Sequence, residues 1–402
     1  MQDWKTLFAS RARRMTASEI RELLKLLDQP DMISFAGGIP DPSLFPAAAF
    51  EAAFKDLFAS GQHRNALQYS VSEGYKPLRS WIVRHMASLG IPCDEDNIVI
   101  TSGAQQGLDY LGKLFLSPGD TAVVGWPTYL GALQAFNAYE PAYERLDLSR
   151  GATAGWPSDP KIKFIYATAD FANPSGESLT LAERNALLDQ AEARGLAVIE
   201  DAPYEALRYE GEVLPSLLAL DIARCGSIED ARTIFCGSFS KTLSPGMRLG
   251  WICAPKPVIQ QLVLTKQAAD LNTSTINQMV MATVAETCYA DQVAMIRDVY
   301  KTRRDAMLTA LERHMPAGVT WNRPEGGMFL WLELPAGFDA GQLLQRAVTS
   351  ARVAFVPGHA FFADGSVRNT MRLSFTVCGP DKIEEGIRRL GEVLSEEIRA
   401  AA

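Results

Sequence analysis

From about Asn97 to Pro255 the chain alternates short apolar runs, rich in β-branched and aromatic residues, with longer stretches in which apolar positions recur every three or four residues. The runs "NIVITSG", "DTAVVGWP", "KIKFIYAT", "GLAVIED", "TIFCGSFS" and "LGWICAP" predict strands. Several are apolar throughout rather than alternating, the mark of strands covered on both faces, so an α/β sheet that is mostly parallel is expected. Between two of them, "TLAERNALLDQAEARG" has the period of an amphipathic helix that stops at Gly195. Small and polar residues gather just past the strands' carboxyl ends, where open α/β sheets bind ligands.

Beyond about residue 290 the pattern changes. A long charged helix, "VAMIRDVYKTRRDAMLTALERHM", precedes the strand-like "GGMFLWLELP", "RVAFVPG" and "TMRLSFT" and a final helix "PDKIEEGIRRLGEVLSEEIRAA". Two or three strands with flanking helices predict a second, smaller α+β domain. At the other end, Thr16 and Glu19 form a capping-box pattern, and Ile20, Leu23, Leu24 and Leu27 then recur at helical spacing. The expected division is an N-terminal arm and helix at 1–45, a large domain at 46–290 and a small one at 291–402, closing on each other over a cleft.

With 402 residues, 47% hydrophobic and 21% charged, the chain can bury a large core. Its net charge of −8 leaves no basic excess for nucleic acid or an anionic membrane, so small-molecule partners are expected. Six cysteines without CxxC spacing and four scattered histidines point to neither a disulfide framework nor a metal site. No apolar run reaches the roughly 20 residues of a membrane span, and a cytoplasmic protein is expected.

Candidate chemistry centres on "GSFSKTLSPGMRLGW", Gly237 to Trp251. A buried lysine has its pKa lowered by desolvation and by nearby cations, which suits it to forming a Schiff base. Around Lys241, Ser238, Ser240 and Arg248 offer donors for a phosphate. "TSGAQQGL", Thr101 to Leu108, sets small residues between a strand and a helix, aiming the N–H groups of Gly103, Ala104 and Gln105 at an anion. No GxGxxG or GxxxxGK[ST] is present to support a dinucleotide or P-loop reading. A lysine beside a phosphate site suggests pyridoxal phosphate, whose pyridine nitrogen needs a carboxylate partner to act as an electron sink. Asp201 in "VIEDAPYEAL" ends a strand forty residues before Lys241, Tyr204 and Asn173 suit the ring's phenolic oxygen, and Tyr129 suits its face. Arg372 in "TMRLSFT", on a predicted strand of the small domain, suits a bidentate receptor for a substrate carboxylate.

The ordered set "YSVSEGYKPLR", "TSGAQQGLD", "PTYLGAL", "NPSGESLT", "EDAPYEAL", "SFSKTLSPGMRLGW", "EGGMFLWLELP" and "MRLSF" resembles the class I/II aminotransferases of PLP fold type I. The opening "IRELLKLLDQPDMISFAGGIPDPSLFP" and the later "VAFVPGHAFFADG" look most like the 2-aminoadipate and kynurenine subgroup. The resemblance implies a large domain with a mostly parallel seven-stranded sheet between helices and a smaller α+β domain. It implies transamination between an amino acid of the 2-aminoadipate, aromatic or branched-chain type and a 2-oxo acid, with 2-oxoglutarate the usual acceptor. A PLP-dependent lyase or decarboxylase and a non-catalytic PLP-binding effector domain are the alternatives. Against the last, only about fifteen residues precede the first predicted helix.

By the same resemblance Lys241 carries the cofactor and then shuttles a proton, Asp201 pairs with the pyridinium, Asn173 and Tyr204 bond the phenolic oxygen, and Tyr129 stacks on the ring. Ser102, Gly103, Ala104, Gln105, Ser238, Ser240 and Arg248 surround the phosphate. Tyr69 reaches the phosphate of a neighbouring subunit, which implies a homodimer with shared sites. Arg372 and the backbone at Gly38 take the α-carboxylate, Arg21 faces the substrate side chain, and the Asn173–Pro174 bond is cis. Ala172 and Ser175 stand where the family often has glutamine and threonine, a local departure beside Asn173.

Overall fold

A computed structural model describes residues 3–15, 31–148 and 160–401. The helix expected after Thr16, and with it Arg21, lies outside the described residues. The first strand, β1 (Ile33–Ser34), is only two residues long.

Seven strands make the main sheet: β2 (Ile98–Thr101), β3 (Thr121–Val124), β4 (Ala142–Arg145), β5 (Ile162–Ala167), β6 (Ala197–Asp201), β7 (Thr233–Ser238) and β8 (Gly250–Cys253). Their order across the sheet is β2-β8-β7-β6-β5-β3-β4. All neighbouring pairs are parallel except those of β8, which runs antiparallel to both β2 and β7. The apolar runs are buried on both faces because alternate side chains enter different cores. Ile98 and Ile100 pack with Phe235, Trp251 and the buried face of the helix Lys76–Ser88. Val99 packs with Ile199, Ile234, Ile252 and the helix Ala104–Phe115 on the other side. β4 escapes the apolar-run criterion because it is an edge strand, AYER, with mostly exposed side chains.

Local signals set the helix ends. Thr180 and Glu183 form a capping box at the start of Leu181–Arg194, and Gly195 closes that helix in the left-handed conformation, φ 66°. The long helix Thr275–His314 is continuous over 40 residues and begins well before the charged stretch read from the sequence.

The remaining strands are β9 (Thr320–Trp321), β10 (Phe329–Glu333), β11 (Val353–Ala354), β12 (Val356–Pro357) and β13 (Thr370–Ser374). Four of them form an antiparallel sheet in the order β12-β13-β10-β9, while β11 pairs in parallel with β1. A separate apolar core of Phe329, Leu330, Leu332, Met371, Leu373, Ile383 and Ile387 holds this sheet to the final helix Pro380–Ala401. Thus the end of the N-terminal arm is stitched to the C-terminal part of the chain. None of the described helices is long and apolar enough to cross a membrane.

Candidate active site

The carboxyl ends of β2, β6 and β7 converge on one cleft, and β8 starts at its edge. At the end of β2 the chain turns directly into the helix Ala104–Phe115, with Gly103 as N-cap at φ 88°. Only glycine fits: the backbone is left-handed, and a Cβ there would lie 2.5 Å from Arg248 Nη2. The turn is braced from within, Thr101 Oγ1 donating to Gly103 O at 3.0 Å and the Ser102 amide to Gln106 Oε1 at 2.8 Å. First-turn amides of a helix have no partner inside it, so Ala104 and Gln105 present theirs outward. The side chain of Gln105 instead turns sideways, Nε2 donating to Gly131 O at 2.6 Å. The Tyr129 hydroxyl donates to Gln105 Oε1 at 3.5 Å.

Arg248 adopts φ 52° and folds back over this turn, donating to Pro245 O at 3.2 Å and Ser102 O at 3.4 Å. Ser238, the last residue of β7, accepts the Ser240 amide on its hydroxyl at 3.1 Å. Amides, two serine hydroxyls and a guanidinium are thereby brought to one end of the cleft, a donor set suited to a phosphate dianion.

Lys241 stands at the other end of that loop. Its Nζ donates to Gly38 O at 3.0 Å and lies 5.9 Å from the centre of the Tyr204 ring. Burial first, then the charges of Arg372 and Arg248, push its pKa down to about 8 against the pull of Asp201. Asp201, the last residue of β6, is buried, and burial pushes its pKa up to about 6 against the opposing effects of Tyr166 and Lys241. Tyr166 of β5 donates its hydroxyl to Asp201 Oδ2 at 2.7 Å. The other carboxylate oxygen, Oδ1, is buried without a hydrogen-bond partner among the described residues. A buried, bare carboxylate oxygen is costly unless something donates to it.

Arg372 lies in the middle of β13 and is buried. It donates from Nη1 to Asn173 Oδ1 at 2.7 Å and from Nη2 to Ala36 O at 2.8 Å. Phe329 and Phe361 hold their rings 4.3 and 5.0 Å from the guanidinium carbon. Among the described residues no carboxylate pairs with it, its Nε has no partner, and burial lowers its pKa to about 10. Asn173 links the two halves of the site, because its Nδ2 donates to the Tyr204 hydroxyl at 3.4 Å. The Asn173–Pro174 bond is cis, as is Trp126–Pro127. At Gly38 an added Cβ would stand 3.1 Å from Phe329 Cζ, so this backbone passes close to the aromatic floor.

All the expected site residues among those described, Tyr69 apart, therefore line or brace one cleft. Tyr69 is 79% exposed on the surface of this chain. Three contributors were not read from the sequence: Tyr166, Phe329 and Phe361. The first sits in an apolar strand and the others in aromatic-rich segments, where a core role is the ordinary expectation; only their three-dimensional neighbours distinguish them.

The residues present fit pyridoxal phosphate, with a phosphate cradle at one end, a lysine of lowered pKa in the middle and an unsatisfied carboxylate oxygen for a ring N–H. The model for "Aminotransferase class I and II" matches residues 30–390. An aromatic-amino-acid aminotransferase of Thermococcus litoralis is 42% identical over 99% of this chain and 96% of its own. A 2-aminoadipate transaminase of Thermus thermophilus is 41% identical over 97% of each chain. Among solved structures, a Pyrococcus horikoshii kynurenine aminotransferase in complex with PMP is 41% identical, covers 98% of both chains and superposes with a TM-score of 0.89. The fold, the matched length and the identity all agree, and the chain belongs to the class I and II aminotransferases, pyridoxal-phosphate enzymes of fold type I.

Proposed function

We propose that this aminotransferase moves the amino group of 2-aminoadipate, kynurenine or another aromatic or branched-chain amino acid to a 2-oxo acid, with 2-oxoglutarate as usual acceptor. The observation that carries the reading is Arg372, a buried guanidinium held in place by Asn173, Ala36 and two aromatic faces, with no carboxylate of its own among the described residues. A desolvated cation without an anion is costly in a resting fold and becomes favourable when a ligand supplies the carboxylate. The names of the relatives in Thermococcus, Thermus and Pyrococcus support the donor classes.

In this reading Ser102, Gly103, Ala104, Gln105, Ser238, Ser240 and Arg248 hold the phosphate. Asp201 accepts the ring N–H, Asn173 and Tyr204 face the phenolic oxygen, and Tyr129 lies on the ring. Once bound, pyridoxal phosphate supplies an electron sink for the charge that develops at the substrate's α-carbon. Arg372 and the Gly38 backbone fix the α-carboxylate, so that the α-hydrogen is directed toward Lys241. Burial and the neighbouring Arg372 and Arg248 disfavour the charged form of Lys241, which suits it to serve as the base that takes this proton. Arg21 facing the substrate side chain belongs to the same proposal.

The exposed Tyr69 supports a homodimer in which each subunit completes its partner's phosphate site. The division into 1–45, 46–290 and 291–402 belongs to the same reading, with the helix Thr275–His314 as the element crossing the later boundary. All six cysteines are free thiols, in keeping with a cytoplasmic location.

The test is the visible spectrum of the purified holoenzyme before and after single amino acids are added without a keto acid. Conversion of the cofactor band to the pyridoxamine form by 2-aminoadipate, kynurenine, leucine or phenylalanine, with release of the matching keto acid and reversal by 2-oxoglutarate, is expected. Loss of carbon dioxide or of a β-substituent instead would replace transamination by a lyase reaction.

A further inference from the structure

Lys266, near the end of the helix Lys256–Gln267, is fully buried away from the cleft's reactive centre. Its Nζ donates to Asp270 Oδ1 and Oδ2 at 2.9 and 3.0 Å, to Thr273 Oγ1 at 2.8 Å and to Gln106 Oε1 at 3.3 Å. The carboxylate it meets is also tied to the turn after β2. Asp270 Oδ2 accepts Gln106 Nε2 at 2.7 Å and Ser102 Oγ at 3.4 Å, and Oδ1 accepts the Tyr110 hydroxyl at 3.1 Å. Gln106 in turn accepts the Ser102 amide. Burial tends to raise the Asp270 carboxyl, yet its bonds from Lys266 and Gln106 hold it below the usual carboxylate range, so it is an anion.

This arrangement poses an electrostatic problem. A carboxylate stands one hydroxyl away from the turn that cradles a phosphate dianion, and like charges at that range repel by an amount poorly screened in a partly buried site. We propose that Lys266 is a positioning residue for the cofactor's phosphate: it neutralises Asp270, so that the carboxylate braces Ser102 and Gln106 without repelling the dianion they help to bind. The inference rests on the reading that Ser102 to Gln105 hold that phosphate.

The charge can be stepped while the shapes stay nearly constant. Lys266→Met leaves Asp270 unpaired and lowers the local charge by one. The double variant Lys266→Met with Asp270→Asn restores neutrality, and Asp270→Asn alone leaves Lys266 unpaired and raises the charge by one. Protein freed of cofactor with hydroxylamine is titrated with pyridoxal phosphate, and separately with pyridoxal, which has no phosphate.

The dissociation constant for pyridoxal phosphate is expected to rise in the order Asp270→Asn, then wild type and the double variant together, then Lys266→Met, with steps on the order of tenfold. Pyridoxal should show no such order. If the pair is only a structural brace, both single variants and the double variant lose affinity alike, and the proposal is overturned. Should Lys266→Met fail to fold, the comparison of Asp270→Asn with wild type still decides, since tighter binding supports the electrostatic role and weaker binding sinks it. Arg248→Gln tests the phosphate site itself. If it leaves affinity for pyridoxal phosphate unchanged, the phosphate site is misplaced; if it weakens binding while the charge series is flat, only the role of Lys266 falls.

Discussion

The Tyr166 hydroxyl donates to one oxygen of Asp201 at 2.7 Å and leaves the other oxygen bare in a buried site. The pairing spans adjacent strands, β5 and β6. Tyr166 therefore fixes which oxygen is available and also lowers the Asp201 pKa, since a hydrogen bond to the charged form favours it.

Replacing Tyr166 by Phe removes that bond without changing the ring. In cofactor-free protein the Asp201 pKa should rise above about 6, and in the loaded enzyme the whole pH profile of kcat/KM should fall, because the carboxylate that accepts the ring N–H is held less firmly. A loss of about tenfold at neutral pH is expected, corresponding to one hydrogen bond to a charged group. A profile superimposable on that of the wild type would show that Tyr166 is only a core tyrosine.

Asp201 itself should trade stability against function. Its folded pKa lies near 6, above the ordinary carboxylate value, so in cofactor-free protein the folded state binds more protons than the unfolded state between about pH 4 and 6. Stability from this group is thus present at low pH and lost as pH rises through 6. Asp201→Asn should make the cofactor-free protein more stable at pH 7, by on the order of 2 kcal/mol, while lowering turnover by orders of magnitude. Thermal melts of both cofactor-free proteins at pH 4.5 and 7, read beside turnover of the loaded enzymes, check both halves.

Arg372 makes a different kind of prediction. Arg372→Met keeps the aromatic packing and removes the carboxylate receptor, so kcat/KM for amino acids should fall on the order of a hundredfold or more. The cofactor's affinity should change little, because the guanidinium contacts Asn173 and Ala36 rather than the phosphate end. Equal loss of substrate and cofactor binding would instead indicate a collapsed cleft.

The difference between what could and could not be read from the sequence follows the range of the interactions. Lys241, Asp201 and the Ser102–Gln105 turn stand at strand ends, where a strand pattern followed by small residues already announces a ligand site. Thr180 with Glu183, and Gly195, announce a helix through contacts a few residues apart. The edge strand β4 gives no such signal because its side chains face solvent. Phe329 and Phe361 take their roles from Arg372, outside any local period, so their own pattern says only that they are buried; Lys266 meets Asp270 only four residues on, but its link to the Ser102 turn runs through Gln106, 160 residues away. In the proposed reading Tyr69 serves a second chain, and the family resemblance alone gave it a role.

That last point has a direct test. If Tyr69 serves the neighbour's phosphate, Tyr69→Ala and Lys241→Ala each disable every site of their own homodimer, by different routes. In a mixed dimer, the site that keeps Lys241 receives an intact Tyr69 from the Lys241→Ala subunit, whereas the other site lacks both groups. Random reassociation of equal amounts of the two inactive proteins gives mixed dimers as about half of the population, each with one complete site, so about a quarter of wild-type activity should return. Activity should grow with the time allowed for subunit exchange and be absent when the proteins are mixed without exchange. If Tyr69 acts within its own chain, or the protein functions as a monomer, no complementation appears at any mixing ratio. The 79% exposure of Tyr69 on the single chain is what makes the shared arrangement the expected one, since a buried tyrosine could not reach a partner.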